Sequence, residues 1–192
     1  MNSYEDEDDK EVRRQLLKDI PKASEWPEFD GQGEYDHREF IIWIDDLKER
    51  LRLHDSMITS KLCVVFKGVA RDWYNFTKTR FRGDNDTWEN WKVAIINRFG
   101  TSGWRRDKIA AFDRDRLYSG SNKDPIEWIL KQKKRLEAAY DGIETTEIIE
   151  KILHNCGGDV ENAIRCRLKN PVGDFEELLI VTEDIWKRTN LG

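Results

Sequence analysis

Residues 68–104 (GVARDWYNFTKTRFRGDNDTWENWKVAIINRFGTSGW) constrain the fold more tightly than any other stretch. Ala70, Trp73, Tyr74, Thr77 and Phe81 recur at three- and four-residue steps, and so do Trp88, Trp91, Ile95, Ile96 and Phe99. At 3.6 residues per turn, each set lies on one face of a helix. Residues 80–86 break the pattern, Asp86 or Thr87 is placed to cap the second helix, and Glu89 stands in its first turn. Helices joined so briefly are expected to lie antiparallel and to bury their indoles. Such a pair makes a core and not a chemical site.

The remainder of the chain can complete that core. It has 192 residues, 38% of them hydrophobic, with eight Trp and eight Phe, which argues for a folded protein despite 37% charged residues. The net charge of −5 speaks against a dedicated nucleic-acid binder, which carries a clustered basic excess. Cys63, Cys156 and Cys166 are spaced as free thiols of a reducing compartment. No apolar run nears the ~18 residues of a membrane span, and the first residues lack the apolar core of a signal peptide. The expectation is a cytoplasmic or nuclear protein without a membrane partner.

In chain order, residues 1–25 read as an acidic, largely disordered tail with a short helix over 12–20 that Pro21 stops. An acidic tail can recruit a basic partner, although a solvated terminus is the simpler reading. Trp26-Pro27-Glu28-Phe29-Asp30-Gly31 reads as an extended strap on a bundle, and its groove as a place for an extended peptide. Asp36-x-x-Glu39 opens a helix with Phe40, Ile44, Leu47 and Leu51 inward and Trp43 beside them. Asp55 starts another, with Ile58, Leu62, Val65, Phe66 and Val69 inward and Gly68 near its end. A first bundle thus spans 26–100. Gly100 and Gly103 bracket a flexible joint, with 101–103 as the linker.

A second bundle is expected over 104–188, followed by a tail at 189–192. Trp104, Ile109, Phe112 and Leu117 mark one helix, and residues 118–123 a turn. Asp124-Pro125-Ile126-Glu127 is a strong helix start, followed on one face by Trp128, Ile129, Gln132, Leu136 and Ala139. Lys131, Lys133, Lys134 and Arg135 read as a solvated basic face. Thr145 or Thr146 caps a helix with Ile148, Ile149, Ile152 and Leu153, and Gly157-Gly158 supply a left-handed stop. Asp159 begins a helix that runs through Leu168 and ends at Pro171, and Asp174-x-x-Glu177 begins the last. No run alternates with period two. The fold class is therefore all-α, as two small helical bundles joined by a short flexible linker.

Catalytic and metal patterns were sought in the same residues. His37, His54 and His154 sit in no zinc-protease spacing, and His154, Cys156 and Cys166 lack a fourth ligand. Phosphate-cradling Gly-rich loops, Gly-x-Ser-x-Gly and Asp-Thr/Ser-Gly are absent. Carboxylate pairs such as Asp45-Asp46 read as solvated helix exteriors. The expectation is a protein that is not an enzyme, with no catalytic, metal or cofactor-binding residues.

Trp-Pro-x-Phe-Asp-Gly at 26–31, Phe40-Ile41-x-Trp43-Ile44, Gly68-Val69-Ala70-x-x-Trp73-Tyr74 and Trp88-x-x-Trp91-Lys92-x-x-Ile95-x-x-x-Phe99 together resemble the Gag protein of Gypsy-type (Metaviridae) LTR retrotransposons. Residues 120–136, with Gly120, Asp124, Pro125, Glu127, Trp128 and Leu136, are similar to the major homology region of retroviral capsid proteins. Ser119 stands where that region usually has Gln, and Gln132 where it has an aromatic, so the region's usual buried polar network is not expected here. The resemblance implies an Arc-like capsid fold whose N-terminal and C-terminal lobes self-assemble into virus-like particles, a homo-oligomer. It implies Trp26, Phe29, Phe40, Trp43, Trp73, Tyr74, Trp88 and Trp91 as N-lobe core or groove. It places dimer contacts on exposed apolar residues of the helices over 104–118 and 147–168. The alternative is a domesticated Gag acting as an Arc-like peptide-binding adaptor, and after it a nucleic-acid-binding protein. Without the family's zinc knuckle, RNA is held weakly here or by a region outside this chain.

Overall fold

A helix whose apolar residues recur every three or four positions must hide that stripe, and this chain does so around two separate cores. The computed structural model describes residues 18, 20–169 and 174–189. The expected tail over 1–17, the body of the 12–20 helix, Pro171 and residues 190–192 lie outside the described residues. The described secondary structure is all-helical, with isolated bridges but no sheet. Contacts divide the chain into two compact units, Met1–Thr101 and Ser102–Gly192.

In the first unit, helices α1 (His37–Leu51), α2 (Asp55–Val65), α3 (Gly68–Thr77) and α4 (Trp88–Phe99) enclose one apolar cluster. Asp36 accepts from the Arg38 amide at the start of α1, His54 from Ser56 at α2, and Thr87 from Asn90 at α4. Thr87 is therefore the α4 cap, and Asp86 turns instead to the Trp91 indole. Phe40, Ile44, Leu47, Ile58, Leu62, Val65, Ala70, Trp88, Trp91, Ile95 and Phe99 are buried, as their spacing requires. Ile96 and Val69, expected inward, are 47% and 39% exposed. Ile96 adjoins the buried stripe of α4 but lies past its edge. Val69 belongs to α3, because Gly68 does not end α2: with φ +46 it begins the next helix.

The second unit holds α5 (Ser102–Arg114), α6 (Pro125–Ala139), α7 (Thr145–His154), α8 (Gly158–Arg165) and α9 (Phe175–Thr189). Its core joins Phe112, Leu117, Trp128, Ile129, Leu136, Ile148, Ile149, Ile152, Leu153, Val160, Ile164, Leu178 and Ile185. Asp124 caps α6 with Pro125 at its first position. Asp174 accepts from Glu176 and Glu177 before α9. Glu144, and neither threonine, holds the cap position of α7. Leu117 lies beyond the end of α5 rather than on it.

Three glycine expectations change. Ser102 and Gly103 lie in the first turn of α5, so the non-helical joint shrinks to Gly100 and Thr101. Gly100 is there for close approach, since a Cβ would lie 2.8 Å from both His37 Nε2 and the Ile96 carbonyl. Gly157 has φ −62 and is no left-handed stop; a Cβ there would sit 2.9 Å from the Tyr118 ring.

The two units share one plan. Each has an extended segment, a capped fifteen-residue helix, two shorter helices meeting at a corner, and a closing helix. Phe29, Asp36, Phe40 and Ile41 have counterparts at one constant spacing in Leu117, Asp124, Trp128 and Ile129. Ile58, Leu62, Phe66, Gly68, Tyr74, Trp88 and Ile95 match Ile148, Ile152, Cys156, Gly158, Ile164, Leu178 and Ile185 at a spacing two residues longer. The added residues fall in the connection between α6 and α7.

The strap carries a direct test. Gly31 (φ +70) faces Phe99, and a Cβ would lie 2.5 Å from the ring, whereas Gly33 (φ +63) faces open space. Gly33→Ala is expected to cost about 1 kcal/mol from backbone strain alone. Gly31→Ala is expected to cost about 2–4 kcal/mol in urea unfolding, through added overpacking. Equal losses would contradict the packing of Gly31 on Phe99.

Candidate functional site

The strap is packed as expected, and it fills its own groove. Trp26 and Phe29 are 3% and 4% exposed. A buried extended segment must satisfy its backbone polar groups, and the spare ones in a helical bundle lie at helix ends. Phe29 donates its amide to the Val65 carbonyl at 3.0 Å, and its carbonyl accepts from Lys67 at 2.9 Å. The Asp30 carbonyl then accepts from Ala70 at 3.1 Å. The Phe29 ring lies 4.9–6.0 Å from the rings of Tyr35, Phe40, Phe66 and Phe99. The site expected to receive an extended peptide at Trp26 and Phe29 is thus occupied by the chain itself.

The other aromatic candidates assemble around Trp91. Tyr74 stacks on it with centroids 5.0 Å apart, and Trp73 and Phe81 meet it edge-on at 6.1 and 4.7 Å. Trp43 packs on Trp26 at 5.5 Å. Trp88 and Trp91 are fully buried, so their indole N–H groups need acceptors. Asp45 accepts from Trp88 at 2.7 Å, and Asp86 from Trp91 at 2.9 Å. Asp45 also pairs with Lys92, which corrects the reading of Asp45 as a merely solvated carboxylate. The Lys48 ammonium beside Asp55 holds that carboxyl below its usual range, and Asp55 in turn accepts from the Trp88 amide. These carboxylates were not legible as indole acceptors, because they come from distant sequence or from turns.

The major-homology-like region builds a polar hub at Asp115 that the sequence did not announce. The Asp115 carbonyl accepts from Trp128 Nε1 (3.1 Å), Gln132 Nε2 (2.5 Å) and Asn155 Nδ2 (3.1 Å). Its carboxylate accepts from Arg135 at 2.7 Å and Lys123 at 2.5 Å. Arg135 is 5% exposed and donates also to Gln132, so it does not belong to the solvated basic face. Lys131 and Lys134 are exposed, while Lys133 pairs with Glu137. Gln132 thus enters a buried polar network, which was not expected from the sequence. Burial pushes the Asp115 carboxyl up, but Lys123 and Arg135 outweigh it and hold the group below the usual carboxylate range. In the adjoining turn, Gly120 has φ +76 and Ser119 donates to Asp159. Glu127 is exposed, with its amide on the Asp124 cap, and Leu136 is buried.

Burial pushes the Cys156 thiol up to about 12, which leaves it protonated and unreactive at neutral pH. No group of three or more His, Cys, Asp or Glu among the described residues is placed to hold a metal. On the helices over 104–118 and 147–168, where dimer contacts are expected, most large apolar side chains are buried. Trp104, Phe112, Ile148, Ile149, Ile152, Leu153, Val160 and Ile164 all point inward. Among the described residues, the second unit's large exposed apolar side chains are Tyr118, which lies within that expected range, Leu130, Tyr140 and Ile180.

Asp115→Asn removes the charge while keeping a hydrogen-bonding side chain. It removes one charged partner of the buried Arg135, and a loss of about 3 kcal/mol at pH 7 is expected from the second unit. Because the folded carboxyl is held below the usual carboxylate range, its contribution is present above that range and falls away as pH drops through the folded value. Acid unfolding followed by circular dichroism is expected to be shallower in the variant; an unchanged profile would contradict the hub. No family model, curated protein or solved structure matches this chain.

Proposed function

We propose that this chain is a retrotransposon Gag-like capsid protein that assembles with copies of itself. The carrying observation is that one chain folds into two separately cored helical units of one plan, each leaving large apolar side chains outward. In the first unit Ile42, Phe76 and Val93 are 57–67% exposed, and in the second Ile180 is 58% exposed. Small weak contacts of this kind become strong when every copy makes several at once. Symmetric repetition then closes a shell. The adaptor reading is less well supported at the strap, because Trp26 and Phe29 are buried by their own chain. RNA, where it is carried, is held weakly by these residues, whose sequence has a net charge of −5. No helix among the described residues is long and apolar enough to cross a membrane.

Light scattering and electron microscopy of the full chain at raised protein and salt concentration are expected to show closed particles. Leu130→Asp with Ile180→Asp is expected to prevent them while leaving helicity and unfolding unchanged, since both positions are exposed. A monomer at every concentration, or particles indifferent to both changes, would contradict the proposal.

A further inference from the structure

Helices α3 and α4 hold between them a cleft of about 430 Å³ that the aromatic core does not need. Trp73, Phe81 and Val93 line its apolar part, and Arg80, Arg98 and Asn97 its polar part. No carboxylate lines it. Arg80 lies over the exposed Phe76 ring at 5.3 Å, and Arg98 over Phe99 at 5.3 Å. Neither guanidinium has an ion-pair partner among the described residues, and the Asn97 side chain has no hydrogen bond there. Two exposed guanidiniums without carboxylate partners at the mouth of an aromatic-floored cleft suit an anionic occupant with a flat side chain.

We propose that this cleft receives an acidic peptide segment that carries an aromatic residue. The aromatic side chain lies against Trp73 and Phe81, and carboxylates that follow it in the peptide meet Arg80 and Arg98. Asn97 supplies a carboxamide to the peptide backbone. The occupant is a peptide rather than a nucleic acid, because two cations make no continuous basic track for a phosphate chain. Residues 4–9 of this sequence, Tyr-Glu-Asp-Glu-Asp-Asp, have the required composition and furnish the probe. The site is distinct from the strap groove and does not depend on particle formation.

The test is fluorescence anisotropy of a labelled peptide spanning residues 2–9. The receptor is the full chain carrying Glu5→Gln, Asp6→Asn, Glu7→Gln, Asp8→Asn and Asp9→Asn, so that it does not compete with the probe. Saturable binding is expected, and it weakens as salt rises. Arg80→Ser with Arg98→Ser is expected to weaken it by at least about tenfold with an unchanged circular dichroism spectrum. A peptide with Ala in place of its tyrosine is expected to bind more weakly than the parent. No saturation up to ~1 mM protein, or equal affinity after both arginine changes, would overturn the proposal. Displacement of the peptide by a single-stranded RNA that binds more tightly would reassign the cleft to nucleic acid and overturn it as well.

Discussion

One backbone pairing recurs in both units and organises each of them. An extended residue inserts at the corner between two helices, donating its amide to a carbonyl at the end of the first and accepting from an amide that leads into the second. In the first unit that residue is Phe29, between Val65 and Lys67; in the second it is Leu117, between Asn155 and Gly157 at 3.4 and 2.7 Å. Helix ends carry the only backbone groups in a bundle that lack partners, and a buried extended segment carries the only others. Each solves the other's problem. A glycine follows each corner, Gly68 and Gly158, and begins the next helix.

What surrounds that pairing differs between the units, and the difference is chemical. Around Phe29 the first unit packs rings, and its polar groups serve the indoles: Asp45 for Trp88 and Asp86 for Trp91. Around Leu117 the second unit packs aliphatic side chains and gathers its polar groups at Asp115, where Trp128, Gln132, Arg135 and Asn155 converge. Positions that carry Ile44 and Leu47 in the first unit carry Gln132 and Arg135 in the second. A shared plan thus tolerates either an apolar or a fully partnered polar interior. A half-partnered one would leave a buried charge without compensation.

The sequence was most legible where periodicity and capping agree. The inward faces of α1, α2, α4 and α7, the Asp124-Pro125 start of α6 and the packed strap follow from apolar spacing and local turn chemistry. The exposed Ile96, the helical Gly103 and the buried Arg135 do not follow, because each depends on what another segment brings to it. Spacing alone cannot separate the edge of a buried stripe from its centre, as at Ile96. A glycine kept for close approach, such as Gly100 beside His37, reads the same as one kept for mobility. Arg135 looked solvated among lysines because its partner, Asp115, stands twenty residues away in sequence. The surface readings were least legible: the peptide groove at Trp26 and Phe29 is filled by the chain's own strap, and most large apolar side chains of the helices expected to offer dimer contacts are buried.

Amide hydrogen exchange on the full chain tests most directly whether the strap-to-corner pairing anchors each unit. If it does, the amides of Phe29, Lys67 and Ala70, and those of Leu117 and Gly157, exchange as slowly as the buried helical amides of the same unit and open only with it. Exchange of these amides at the rate of exposed loops, while the helices stay protected, would show that the bundles stand without their straps and would contradict the account.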